Sequence, residues 1–196
     1  MKRREALKSL TTALTLPALE GFLPAEILAL GREMTARLQE KTSETGYVLG
    51  TLSPHQNETV SLIAELILPE TDTPGARAAR VNEFIDLMLT EWFAAPERDR
   101  FLKALDTLDQ ESLEARGKRF KECSEAEQID LLKAEEAKAG RLKEIPPPAE
   151  LAGQPFFTVI KWLTLLGYFS SEVGFHAEVR LPHGVPSFAG CTPTRS

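Results

Sequence analysis

The residues of this chain most able to do chemistry are few. His55 stands just inside Ser53-Pro54-His55-Gln56. His176, His183 and Cys191 lie in the last stretch, spaced H-x6-H-x7-C. Imidazole and thiolate are the usual ligands of zinc and other transition metals, so these three form a candidate metal site, though the spacing matches no tight ligand loop. Polar anchors on a partner surface, or plain loop residues, are the simpler reading of them. Glu70 and Asp72 flank a turn, and paired carboxylates can serve as general acid and base. Beside Pro69 and Thr73-Pro74-Gly75, ending a helix and bonding local backbone is the simpler role for them.

Cys123 and Cys191 are the two cysteines. They form no CxxC pair, zinc ribbon or CxxCH haem-attachment site. An oxidising compartment would allow a Cys123–Cys191 disulfide. One buried thiol with one loop thiol, or pairing between chains through Cys191, are the alternatives. No GxGxxG follows a strand, and GxxxxGK[ST], HExxH and GxSxG do not occur. The fingerprints of dinucleotide binding, P-loops, zinc proteases and serine hydrolases are thus missing. No cofactor is expected to be held by this chain.

Composition narrows the class further. A chain of 196 residues has room for one domain with a real core. With 42% hydrophobic and 27% charged residues it has the makeup of an ordinary globular protein. A net charge of -6, with Lys and Arg scattered among Glu, argues against a nucleic-acid partner.

The elements that must position these residues are helical. Ser53 and Gln56 form a capping box with proline at the first helical position. Val60, Ile63, Ala64 and Ile67 then recur on one face until Pro69. Pro74 and Gly75 suit the centre of a type II turn. A second helix is expected from about Asn82, with Phe84, Ile85, Met88, Leu89, Trp92 and Phe93 apolar. Pro96 allows a restart, and Phe101, Leu105, Leu108 and Leu113 keep helical spacing up to Gly117. Ser124 and Glu127 make a second capping box, and that helix runs to Gly140. Pro146-Pro147-Pro148 stiffens the connector that follows.

QPFFTVIKWLTLLGYFSSEVG, from Gln154 to Gly174, is the most apolar helix and is apolar on more than one face. Such a helix is buried, or half of it meets a partner. Phe156, Phe157, Trp162, Tyr168, Phe169 and Phe175 cluster there, and large aromatics commonly anchor interfaces, so they are candidate partner-binding residues. After Gly174 the prolines and glycines predict an irregular tail. The expectation is an all-α protein divided into a leader and linker (1–49), one helical domain (50–174) and an irregular partner-binding tail (175–196).

MKRREALKSL opens the chain with Arg3 and Arg4, followed by the mildly apolar LKSLTTALTLPAL. It resembles the leader of the bacterial twin-arginine route, which exports folded proteins, although Ala6 stands where an aromatic is usual. Leu16-Pro17-Ala18 and Ala29-Leu30-Gly31 are the candidate cleavage sites. A cytosolic amphipathic helix with solvated arginines is the other reading. No run of 18 apolar residues exists, so a membrane span is not supported.

Leu52 to Phe93, with its capped helix, TDTPGA turn and following Phe-Ile-Asp helix, resembles the gluconate 2-dehydrogenase subunit 3 family. FFTVIKWLTLLGYFSSEVG, with a tail ending in GCTP, resembles the end of the same family. Asn82 stands where proline is expected. The resemblance implies a non-catalytic small subunit that carries the export signal, Arg3 and Arg4, and assists maturation of its partner. That partner would be a flavoprotein dehydrogenase of the glucose–methanol–choline type, holding FAD, oxidising a sugar or sugar acid in the periplasm and passing electrons to a haem c protein. The twin-arginine translocase would be a further partner. A stand-alone metal-binding or enzymatic protein using His176, His183 and Cys191, or a cytosolic helical adaptor, are the rival readings.

Overall fold

The structure is a computed structural model and describes residues 25–42, 46–140, 151 and 153–179. Helices α1 (Ala25–Lys41), α2 (Pro54–Ile67), α3 (Val81–Glu91), α4 (Ala95–Arg116), α5 (Glu125–Ala139), α6 (Phe156–Ser170) and α7 (Glu172–Val179) follow in order, with a 3₁₀ turn at Phe120–Glu122 before α5. Among the described residues there is no ladder of strands, and the all-α class holds. No helix among them is long and apolar enough to cross a membrane.

The predicted caps are in place. Ser53 N–H donates to Gln56 Oε1 at 3.1 Å, and Gln56 N–H returns to Ser53 Oγ at 3.3 Å. At α5 the Glu127 carboxylate accepts the Ser124 N–H at 2.8 Å, and this bond holds the Glu127 carboxyl below its ordinary range. Gly117 closes α4 in the left-handed conformation, φ 69°, a position where a side chain would be strained.

α6 is the centre of the body: α1, α2, α3, α5 and α7 all pack on it. Every residue from Trp162 to Tyr168 is buried. The helix is apolar all round because it is covered all round. α3 crosses it closely where the Phe84 ring meets Gly167. A Cβ at Gly167 would stand 2.7 Å from Phe84 Cδ1, inside van der Waals contact.

The expected single helix from Gln154 to Gly174 is in fact two. Ser171 takes an extended conformation and ends α6. Its hydroxyl donates to Tyr168 O at 2.7 Å and accepts the Gly174 N–H at 3.0 Å, so it caps α7 as it terminates α6. α7 then continues through Val179, so the first five residues of the expected irregular tail are helical. At the other end, α1 falls in the stretch assigned to leader and linker, yet it packs on α3 and α6 and buries Ile27, Met34 and Leu38. These residues sit at i, i+7 and i+11, one helical stripe. That stripe is short and interrupted by charge, which is why the sequence reading did not single it out.

Replacing Gly167 with Ala should cost about 1–3 kcal/mol, because the methyl group must displace a fully buried ring. Urea unfolding of the two proteins measures it, and an unchanged midpoint would show that α3 and α6 can separate freely.

Candidate functional site

The residues of the TDTPGA turn and of GYFSSEVG face each other. Tyr168 is fully buried, and its hydroxyl donates to Pro74 O at 2.8 Å. From the other side the Glu65 carboxylate of α2 grips the turn at both ends, Oε1 accepting Glu70 N–H at 2.8 Å and Oε2 accepting Arg77 N–H at 2.9 Å. Ala76 N–H closes on Leu68 O at 2.9 Å. The expected type II turn would need a positive φ at Gly75, and Gly75 has none. Glycine is required there for space: a Cβ would lie 2.6 Å from Glu70 N and would overlap Glu65 Oε1. Asp72 accepts the Thr71 hydroxyl at 2.9 Å. Asp72 therefore serves the turn, as its setting suggested, while Glu70 enters it through its backbone N–H.

A second carboxylate organises the entry to α2. Asp86 lies in the apolar run FIDLML of α3 and is completely buried. Its Oδ1 accepts the N–H groups of Thr51 at 3.0 Å and Leu52 at 2.7 Å. Its Oδ2 accepts Gly50 N–H and the Tyr47 hydroxyl, both at 2.8 Å. Burial first, and then the Asp86 acceptor, push the Tyr47 phenol well above its ordinary range, so it stays a donor. Thr51 and Thr90 hydroxyls add a contact at 2.8 Å beside it. Sequence reading passed over Asp86, although a charge inside an apolar helix face is the signal that marks a buried, partnered group.

His55 is at the second position of a capped helix, where the sequence predicts an exposed side chain, and the structure differs. The side chain is partly buried, its Nε2 paired with Asp109 Oδ2, whose other oxygen accepts Phe120 N–H at 3.0 Å. Asp109 so joins α2, α4 and the 3₁₀ turn. Lys161 is largely covered beside α5, 3.5 Å from Glu136. Burial lowers its amine below the ordinary range, and Glu136 works against that.

The six candidate partner-binding aromatics divide. Phe157, Trp162 and Tyr168 are buried in the core, so they are not available as surface anchors. Phe156 and Phe169 are half-buried, leaning on Phe101 and Tyr168 with ring centroids 5.3 Å apart in each pair. Phe175 alone of the six stays well exposed, at 53%. His176, next to it, is exposed and lies 3.7 Å from Glu172. Arg3, Arg4, His183 and Cys191 lie outside the described residues. Among the described residues no three potential ligands converge on a metal-binding point. Cys123 is a free, buried thiol with its sulfur 3.2 Å from Ser112 Oγ.

The arrangement is that of an all-α domain whose two most distinctive sequence segments are joined to each other. Comparison with protein families matches residues 54–182 to gluconate 2-dehydrogenase subunit 3. The chain belongs to the gluconate 2-dehydrogenase subunit 3 family. No curated protein and no solved structure matches the chain.

Two measurements follow from these carboxylates. Changing Asp86 to Ala leaves three amides and a phenol without their acceptor. Because the loop can turn partly to water, the expected loss is about 2–4 kcal/mol, against about 1 kcal/mol for Tyr47→Phe. Chemical denaturation gives both values, and amide exchange should accelerate at Gly50, Thr51 and Leu52 in the Asp86 variant. Equal losses in the two variants would contradict the geometry. Glu91 supplies the second. Lys41, and then Arg37 at 3.1 Å, hold its carboxyl below the ordinary 4.5. A depressed carboxyl stabilises above the unfolded value and loses that contribution as pH falls through the folded one. Attachment of α1 should thus weaken below about pH 4.5. Amide exchange in residues 27–41, compared at pH 6 and pH 4 with intrinsic rates corrected, reads this, and Glu91→Gln should abolish the difference.

Proposed function

We propose that this chain is the non-catalytic small subunit of a flavin-dependent dehydrogenase complex oxidising a sugar or sugar acid. In this reading it binds a large subunit of the glucose–methanol–choline type, supplies the twin-arginine signal through Arg3 and Arg4, and assists maturation of that partner before export to the periplasm. FAD belongs to the large subunit, and a c-type cytochrome receives the electrons. The observation that carries the reading is membership of the subunit 3 family across residues 54–182. The bonding of the polar groups supports it. Glu65, Asp86, Asp109 and Tyr168 are each engaged in holding one helix or turn against another.

The test is co-expression of the tagged chain with a leaderless flavoprotein of this type. A yellow complex should co-purify, and its sugar-oxidising activity should reach the periplasm. Arg3→Lys together with Arg4→Lys should leave the complex intact but hold at least about nine-tenths of that activity in the cytoplasm. Periplasmic activity at the unmodified level in the double variant would refute the shared leader. Purification of this chain alone, with the flavoprotein exported in its absence, would refute the subunit role.

A further inference from the structure

The family match begins at residue 54, but the folded body begins earlier. α1 lays Ile27, Gly31, Met34 and Leu38 along α6 and α3. Gly31 is the point of closest approach: a Cβ there would stand 2.7 Å from Leu166 Cδ1 and would overlap the Ser170 hydroxyl. Further along, Arg37 and Lys41 both pair with Glu91 of α3. Arg80 Nη2 donates to Thr42 Oγ1 at 3.4 Å. Beyond that, Tyr47, Gly50, Thr51 and Leu52 all donate to Asp86. The stretch from Ile27 to Leu52 is therefore pinned near its start, middle and end to residues inside the family-matched region.

This placement separates the two cleavage sites that the sequence allows. Ala29-Leu30-Gly31 lies within α1, with Gly31 buried against α6. A peptidase acts on chain that is extended and accessible, and a docked helix must first open locally to be cut. Cutting after Gly31 would also remove Ile27 from the core. We propose that residues 25–52 are a retained strap of the mature body, and that processing of the leader is confined to the chain before Ala25. Ala29-Leu30-Gly31 is then closed by the fold, and Leu16-Pro17-Ala18 is the remaining site that the sequence offers. The processing half rests on the export reading above; the strap half does not.

The experiment has two arms on the full-length protein. In the first, the purified chain is treated with a low concentration of a nonspecific protease, and the fragments are identified by mass spectrometry. Bonds between residues 27 and 42 should resist as well as those within α3. Gly31→Leu should speed cleavage within 27–38 roughly tenfold or more, since the larger side chain cannot fit against Leu166 and Ser170. The paired change Arg37→Ala and Lys41→Ala, at exposed positions, gives a smaller increase confined to the same bonds and covers the case in which Gly31→Leu fails to fold. Cutting of the unmodified protein between 27 and 42 well before α3 is cut would overturn the strap. In the second arm the N-terminus of periplasmic protein is determined. A first residue at or before Ala25 supports the proposal; a folded body beginning after Gly31 overturns it. Failure of export leaves the second arm without product and counts against the export reading, while the first arm still decides the strap.

Discussion

One buried carboxylate sets the geometry of the N-terminal half. Asp86 has no exposure to water, and a bare carboxylate in that position would be strongly disfavoured. Its four hydrogen bonds remove the penalty, and every one comes from residues 47–52. Charge-assisted bonds from backbone N–H groups are among the stronger kinds. The constraint runs both ways: α3 can bury an aspartate only if the loop folds over it, and the loop has its amides satisfied only if α3 is in place. The path of the chain from α1 into α2 follows from that mutual requirement.

Glu65 does the same for the connection between α2 and α3. Its two oxygens take the N–H groups of Glu70 and Arg77, drawing the ends of the turn together, while Tyr168 reaches Pro74 from α6. The connections from α1 to α2 and from α2 to α3 are thus both held by side chains of helices packed against them. Such anchoring permits tight crossings, like that of Phe84 on Gly167, because the connecting chain cannot drift. It also accounts for Gly75, Gly167 and Ser171 in the two distinctive segments. They serve close approach and capping.

Much of this was legible beforehand, and the reasons for the remainder are physical. Capping boxes at Ser53 and Ser124 and the stop at Gly117 depend on neighbours three or four residues apart, so sequence reveals them directly. The break at Ser171 was hidden because the apolar pattern continues across it, and only the serine's double role as terminator and cap divides the helix. The aromatics of α6 were ambiguous for a related reason. A helix apolar on several faces can be central or half-exposed, and only the positions of α1, α2, α3, α5 and α7 decide between the two. Asp86, Asp109 and Glu65 are not legible as organisers because most of their partners are backbone N–H groups, which every sequence contains at every position except proline. Long-range partners of that kind leave no mark in residue type.

The way the polar groups are used bears on how the proposed subunit could work. Asp86 and Glu65 spend both oxygens on amides, Asp109 shares its oxygens between His55 and Phe120 N–H, and Tyr168 donates to a carbonyl. Groups committed in this way stiffen the surfaces they support. A protein that recognises a large folded partner gains from such stiffness, because less conformational freedom is lost on association. The polar interior can thus be understood as preorganisation of helix faces and turns.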